Sequence, residues 1–181
     1  RQMCIRDSIK GDLCGLGAAA NPQGKVAERI AGMPFLNYTA QAYPVTLWDI
    51  HGQSGHPLRT TISEMGPLLL GSLLELTDSQ QSALYAAFKV ADREGLLLLD
   101  LKDLKALLNH LRYHPELLGE DAALMTTGSS QALLRRLAVL EQQGAEALFG
   151  EPALQLEDIL QPASDGRGRI HLLDASRLVH E

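Results

Sequence analysis

Between Ser63 and Gly144, leucine recurs at helical spacing through one segment after another, and the strongest strand signals lie outside that stretch, one on each side. Such a chain must bury a leucine core among helices and still pair strands that are far apart in sequence. "SEMGPLLLGSLLEL" (63–76) puts Leu69, Leu73 and Leu76 at helical spacing. "TDSQ" (77–80) is a capping-box pattern; it opens a helix with the stripe Leu84, Phe88 and Ala91, and Gly95 stops it. Asp100 can cap "LKDLKALLNHL", whose inward side is Leu101, Leu104, Leu108 and Leu111. "SSQALLRRLAVLEQQG" (129–144) sets Leu133, Leu137 and Leu140 on one face and turns Arg135 and Arg136 to water. Earlier in the chain, Asn21-Pro22 reads as cap and first helical position of a helix holding Val26 and Ile30 on one face and closed by Gly32.

"PVTLWDI" (44–50) is the best strand: short, apolar almost throughout, and bounded by Pro44 and the Gly52–Gly55 turn cluster. Its continuous apolar character suits a strand buried on both faces of a parallel sheet. Near the other end, Asp165-Gly166 reads as a turn leading into a strand over 169–173. A third strand is added if Ile9 ends one. The expectation is an α/β fold in which a few strands bracket four or five helices, with the helical segment at about 63–145. So thin a sheet is incomplete by itself.

The first residues, "RQMCIRDS", carry no hydrophobic period, cap or turn chemistry, and no apolar stretch follows their charges as in a signal peptide. They match the in-frame translation of a transposase adapter used in sequencing libraries. Residues 1–8 are therefore read as non-native, with Ser8 at the junction, and the chain as an internal fragment. The alternative is a native, disordered N-terminus.

Hydrophobic residues make up 45% and charged residues 21% of the 181, ordinary for a soluble globular domain. The net charge of −6 argues against broad, non-specific nucleic-acid binding, which needs a concentrated positive field. Cys4 and Cys14 are the two cysteines; with Cys4 set aside, neither a disulfide framework nor a cysteine zinc site can be built, which suits a reducing cytoplasm. No apolar run approaches the roughly 20 residues of a membrane span.

Motifs for chemistry are few. His110 and His114 have the i, i+4 spacing of a zinc helix, but Leu111 stands where that motif has Glu, and Pro115 ends the helix, so both read as surface residues. His51 and His56 flank a glycine turn without a third ligand, and no metal is expected. "CGLG" lacks the third glycine of a dinucleotide loop, and neither G-x-x-x-x-G-K-[ST] nor G-x-S-x-G occurs. There remain polar residues just after strands, where open parallel sheets hold ligands: Lys10 to Asp12, and His51 to Arg59.

Four blocks in collinear order, "IKGDLCGLGAAANPQGKVAERIAG", "YPVTLWDIHGQSGHPLRTTISEMGPLLLGSLLELTDSQ", "ADREGLLLLDLKDLKALLNHL" and "FGEPALQLEDIL…DGRGRIHLLDASRL", resemble a bacterial family of HerA helicase-like P-loop ATPases. Lys10, Gly11, Asp12 and Leu13 match the family's "D-[IV]-K-G-D-L", with Ser8 in place of the leading Asp. The resemblance implies a partial RecA-like P-loop NTPase core of few parallel strands with a mostly helical insertion, and Walker A and Walker B motifs lying outside the chain. It also implies ATP and Mg²⁺ in the parent protein, none bound to the fragment, a homo-oligomeric ring, and DNA translocation by analogy of fold. Lys10 and Asp12 would border the nucleotide, Arg59 and Glu64 would face the pocket or a neighbouring subunit, and Arg167 is a weaker candidate for an arginine finger. For each, the plain alternative is a salt bridge or helix cap. A self-contained, non-catalytic helical interaction module is the competing account of the whole chain.

Overall fold

The computed structural model describes residues 4–8 and 12–174. The chain divides into two compact units: a sheet unit from Arg1–Pro57 and Gln155–Glu181, and a helical unit, Leu58–Leu154.

In the sheet unit, β1 (Cys4–Ser8), β2 (Val45–Asp49), β3 (His56–Pro57) and β4 (Ile170–Asp174) form one sheet in the order β1-β4-β2-β3. Every pairing is parallel. β4 and β2 are the inner strands, and β4 pairs with both β1 and β2: Ile170 registers with both Cys4 and Val45, and Asp174 with both Ser8 and Asp49. The two strongest sequence strands are β2 and β4, the latter displaced by one residue. β1 is formed by residues set aside as adapter-derived; strand pairing is made by backbone groups, so a position at a sheet edge accepts many sequences. β3 is too short to leave a sequence signal. Its approach depends on Gly55, where a Cβ would lie 2.5 Å from the Leu47 carbonyl oxygen.

The helix expected from Pro22 begins later, as α1 (Lys25–Ala31), because Gly24 precedes it with φ 56 and ψ −134 and breaks the helical path. Gly32 ends it as expected. α1 buries none of its residues, and Val26 is exposed. A second short helix of this unit, α6 (Leu156–Leu160), follows the helical unit in sequence.

The helical unit contains α2 (Ile62–Leu73), α3 (Asp78–Glu94), α4 (Leu101–Tyr113) and α5 (Thr127–Gln142), with a 3-10 stretch, Pro115–Leu124, between α4 and α5. Its start and its end lie side by side: Thr60 bridges Phe149, and backbone bonds run from Thr60 N to Leu148 O, from Gly150 N to Thr60 O and from Leu154 N to Arg59 O. The capping residues read from sequence hold for α3 and α4. Gln80 accepts from the Thr77 N–H at 3.1 Å, and Gly95 closes α3 in the left-handed region at φ 67. Asp100 accepts from the N–H groups of Lys102 and Asp103. α5 starts two residues earlier than expected, capped by Thr126, and Arg135 and Arg136 are exposed.

One face departs from the sequence reading. α2 is broken at Gly66 (φ 70, ψ 169), and Pro67 restarts the helix in a new phase. Ile62, Leu70 and Leu74 are buried in the core, while Leu69 and Leu73 are exposed. Elsewhere the stripes hold: Leu84, Leu101, Leu104, Leu108, Leu111, Leu133 and Leu137 are at most 1% exposed and belong to one cluster. Among the described residues, the sheet unit contributes a single buried hydrophobic side chain, Leu172. Leu104→Ala is expected to destabilise the helical unit by about 3 kcal/mol, read as a lower urea midpoint by far-UV circular dichroism; a loss under ~1 kcal/mol would mean the site collapses around the deletion.

Candidate functional site

In an all-parallel sheet, the loops beyond the carboxyl ends of the strands are where ligands are held. Here the best-defined of these loops follows β2. Asp49 is 5% exposed, and its carboxylate accepts from three backbone amides of the loop: His51 at 3.0 Å, Gln53 at 2.8 Å and Ser54 at 2.9 Å. Burial pushes this carboxyl up, but the Ser54, His51 and Gln53 amides and the His51 charge outweigh it, and its pKa lies below the ordinary aspartate value. These loop amides hold the chain's own carboxylate.

Beside it, β2 and β4 share a polar face. Trp48 Nε1 donates to His171 Nδ1 at 2.9 Å. Because an indole nitrogen can only donate, the imidazole is neutral, with its proton on Nε2. His171 is 2% exposed, and its Nε2 has no hydrogen-bond partner. Burial pushes its pKa down, outweighing the opposite pull of the Ile159 backbone, and the Arg169 charge adds to the downward shift. Arg169 itself donates to the Thr46 hydroxyl at 3.2 Å. His56 packs its ring tilted against Trp48, centroids 5.9 Å apart.

The residues singled out from sequence have separate fates. Lys10 lies outside the described residues, and Asp12 opens a 3-10 turn, Asp12–Gly17. Arg59 donates from Nη1 to the Glu151 carbonyl at 2.9 Å, clamping the neck of the helical unit. Glu64 forms a capping box with Thr61, the carboxylate accepting from the Thr61 N–H at 3.3 Å and the Glu64 N–H donating to the Thr61 hydroxyl at 3.1 Å. Arg59 and Glu64 thus take different partners and do not pair with each other. Arg167 is exposed and folds over its own turn: Nε pairs with Asp165 at 2.7 Å and Nη1 donates to the Ala42 carbonyl at 3.1 Å. His110 and His114 are exposed at the end of α4, with His114 facing Glu116 at 3.0 Å.

The chain matches the family model for the helicase HerA-like C-terminal region over residues 3–181. It belongs to that HerA-like family. The match takes in the four blocks read from sequence and begins before Ile9, within the segment read as adapter-derived. No curated protein and no solved structure matches the chain.

What the HerA-like chain carries of a nucleotide site is limited. No phosphate-loop motif occurs in its sequence, the amides beyond β2 are taken by Asp49, and among the described residues no group of three His, Cys, Asp or Glu side chains could hold a metal ion. No described helix is long and apolar enough to cross a membrane. The Asp49 knot and the Trp48–His171 pair were missed in the sequence reading. The one cue was an acid closing a strand just before a glycine-rich loop.

Two outcomes test this geometry. Asp49→Ala, which leaves three amides without their acceptor, is expected to cost about 2 kcal/mol, read by the fluorescence of the single tryptophan, Trp48. Its contribution is complete above the unfolded aspartate value of about 3.9 and is lost as pH falls through the lower folded value; the variant should lack that acid-side loss. His171 behaves as a buried neutral base. Its contribution is complete above about pH 6.5 and declines as pH falls toward the folded pKa, because the unfolded chain takes up the proton first. His171→Gln should flatten the Trp48-detected stability profile in that window.

Proposed function

We propose that the chain is an internal part of a ring-forming, HerA-like ATPase, with the sheet unit as a piece of its RecA-like core and the helical unit as an insertion. In this reading the parent protein hydrolyses ATP with Mg²⁺ to drive a motor, with DNA as the moved substrate by analogy of fold, and the chain alone is inactive. The observation that carries the reading is family membership across residues 3–181. The all-parallel sheet, with its ordered loop beyond β2, is in keeping with it.

The chemistry of phosphoryl transfer is positioning and charge stabilisation by a glycine-rich loop, a lysine and a metal. The described residues do not provide that set, so the reading assigns it to the parent's remaining sequence. Lys10 and Asp12, just beyond β1, are the residues of this chain that border the nucleotide. Arg59 and Arg167 would first have to release the Glu151 and Ala42 carbonyls to reach a phosphate.

Titration calorimetry of the isolated chain with Mg²⁺-ATP is expected to give no binding; tight, Mg²⁺-dependent binding would overturn the fragment account. In the parent protein, Lys10→Ala or Asp12→Ala should lower ATP turnover by about tenfold or more, and Arg59→Ala and Arg167→Ala by less. A parent gene that encodes no Walker A loop before Ile9 and no Asp-Glu strand after Glu181 would favour the non-catalytic interaction module.

A further inference from the structure

α4 ends on a pair of histidines and the chain then turns. His110 and His114 stand four apart, both exposed, and their rings lie 4.5 Å apart, centroid to centroid, at 37°. Leu111 removes the glutamate that the zinc-helix pattern carries beside its first histidine. That glutamate is the base of a hydrolase and not a metal ligand, so its loss leaves the two ring nitrogens as they were. Pro115 ends the helix, and the turn brings another carboxylate back: Glu116 Oε1 lies 3.0 Å from His114 Nδ1.

The backbone holds this arrangement. His114 N donates to His110 O at 3.0 Å, and Leu117 N donates to His114 O at 3.1 Å. The Glu116 carboxyl is held below the ordinary glutamate value by its own backbone N–H and by the His114 ring. Facing that carboxylate, His114 Nδ1 is the donor, which fixes the tautomer and leaves the lone pair on Nε2. Metal-ligating histidines are arranged in this way, one ring nitrogen held by a carboxylate and the other kept for the metal. Two imidazoles on one tetrahedral ion, with metal–nitrogen bonds of about 2 Å, keep their centroids about 5 Å apart. His110 and His114 reach that spacing by a small rotation of the side chains.

We infer that His110 and His114 bind a divalent transition-metal ion through their ring nitrogens, with Glu116 orienting His114 from behind and water completing the coordination. Two imidazole ligands select ions of the zinc, nickel and copper type over magnesium and calcium. The site is a pair of ligands with a carboxylate bonded to one of them, not three ligands converging on a point. Bound there, the ion ties the last turn of α4 to the 3-10 stretch that follows it. The site uses the helical unit alone and does not depend on the nucleotide reading.

Titration calorimetry of the full chain with Zn²⁺ alone, in a buffer that does not chelate it, tests this, with circular dichroism as the check on folding. His110→Ala and His114→Ala should each abolish binding at this site, and because both side chains are exposed the variants should stay folded. Glu116→Gln should weaken binding by about tenfold, as loss of a carboxylate behind a ligating histidine does. His51→Ala and His56→Ala, in the other unit, should leave it unchanged. A wild-type chain that takes up no Zn²⁺ would overturn the inference. So would binding that survives in His110→Ala or His114→Ala, which would place the ion elsewhere, and so would a Glu116→Gln chain that binds as tightly as the wild type.

Discussion

The pairing of Thr60 with Phe149 is the constraint on which the rest of the helical unit depends. The backbone bonds around it hold the two ends of that unit side by side, with the Arg59 guanidinium adding a link to Glu151. Closing so long a loop costs entropy that grows slowly with its length, and a packed core can repay it. The core is there: α2, α3, α4 and α5 bury one hydrophobic cluster, rich in leucine from α4 and α5 and in alanine from α3. A unit whose ends meet can sit within another chain path without separating the strands on either side. β2 and β4 do pair, although the whole helical unit lies between them in sequence.

The sheet unit is held by different means. With Leu172 as its one buried hydrophobic side chain among the described residues, it relies on strand pairing and on polar contacts. Asp49 ties the loop beyond β2, and the Trp48–His171 hydrogen bond joins β2 to the inner strand β4. Both contacts fix a protonation state: a carboxylate held ionised by amides, and an imidazole held neutral by an indole donor and burial. The unit's polar groups are thus largely committed to its own architecture.

Comparison of the chain with its sequence shows where local signals suffice. Caps such as Asp100 and the Thr77–Gln80 box are legible because their partners lie within one helical turn. The stripes of α3, α4 and α5 are legible because nothing interrupts their period. α2 was misread in its facing because leucines at 68, 69, 70, 73 and 74 surround the helix, so spacing alone does not choose between the exposed pair Leu69 and Leu73 and the buried pair Leu70 and Leu74. The site was harder still. Trp48 and His171 meet only through the register of β2 and β4, which no local pattern encodes.

By itself, then, the sequence determined most of the helices, the caps of α3 and α4, the two main strands and the family, because each depends on the order of neighbouring residues or on collinear blocks of them. The tertiary structure decided the order of the strands, the inward face of α2, the engagement of Arg59, Glu64 and Arg167 in structural contacts, and the Asp49 and His171 environments. Each of these depends on which distant or folded-back groups reach a given side chain, and that distance in space is set by packing and register, not by spacing along the chain.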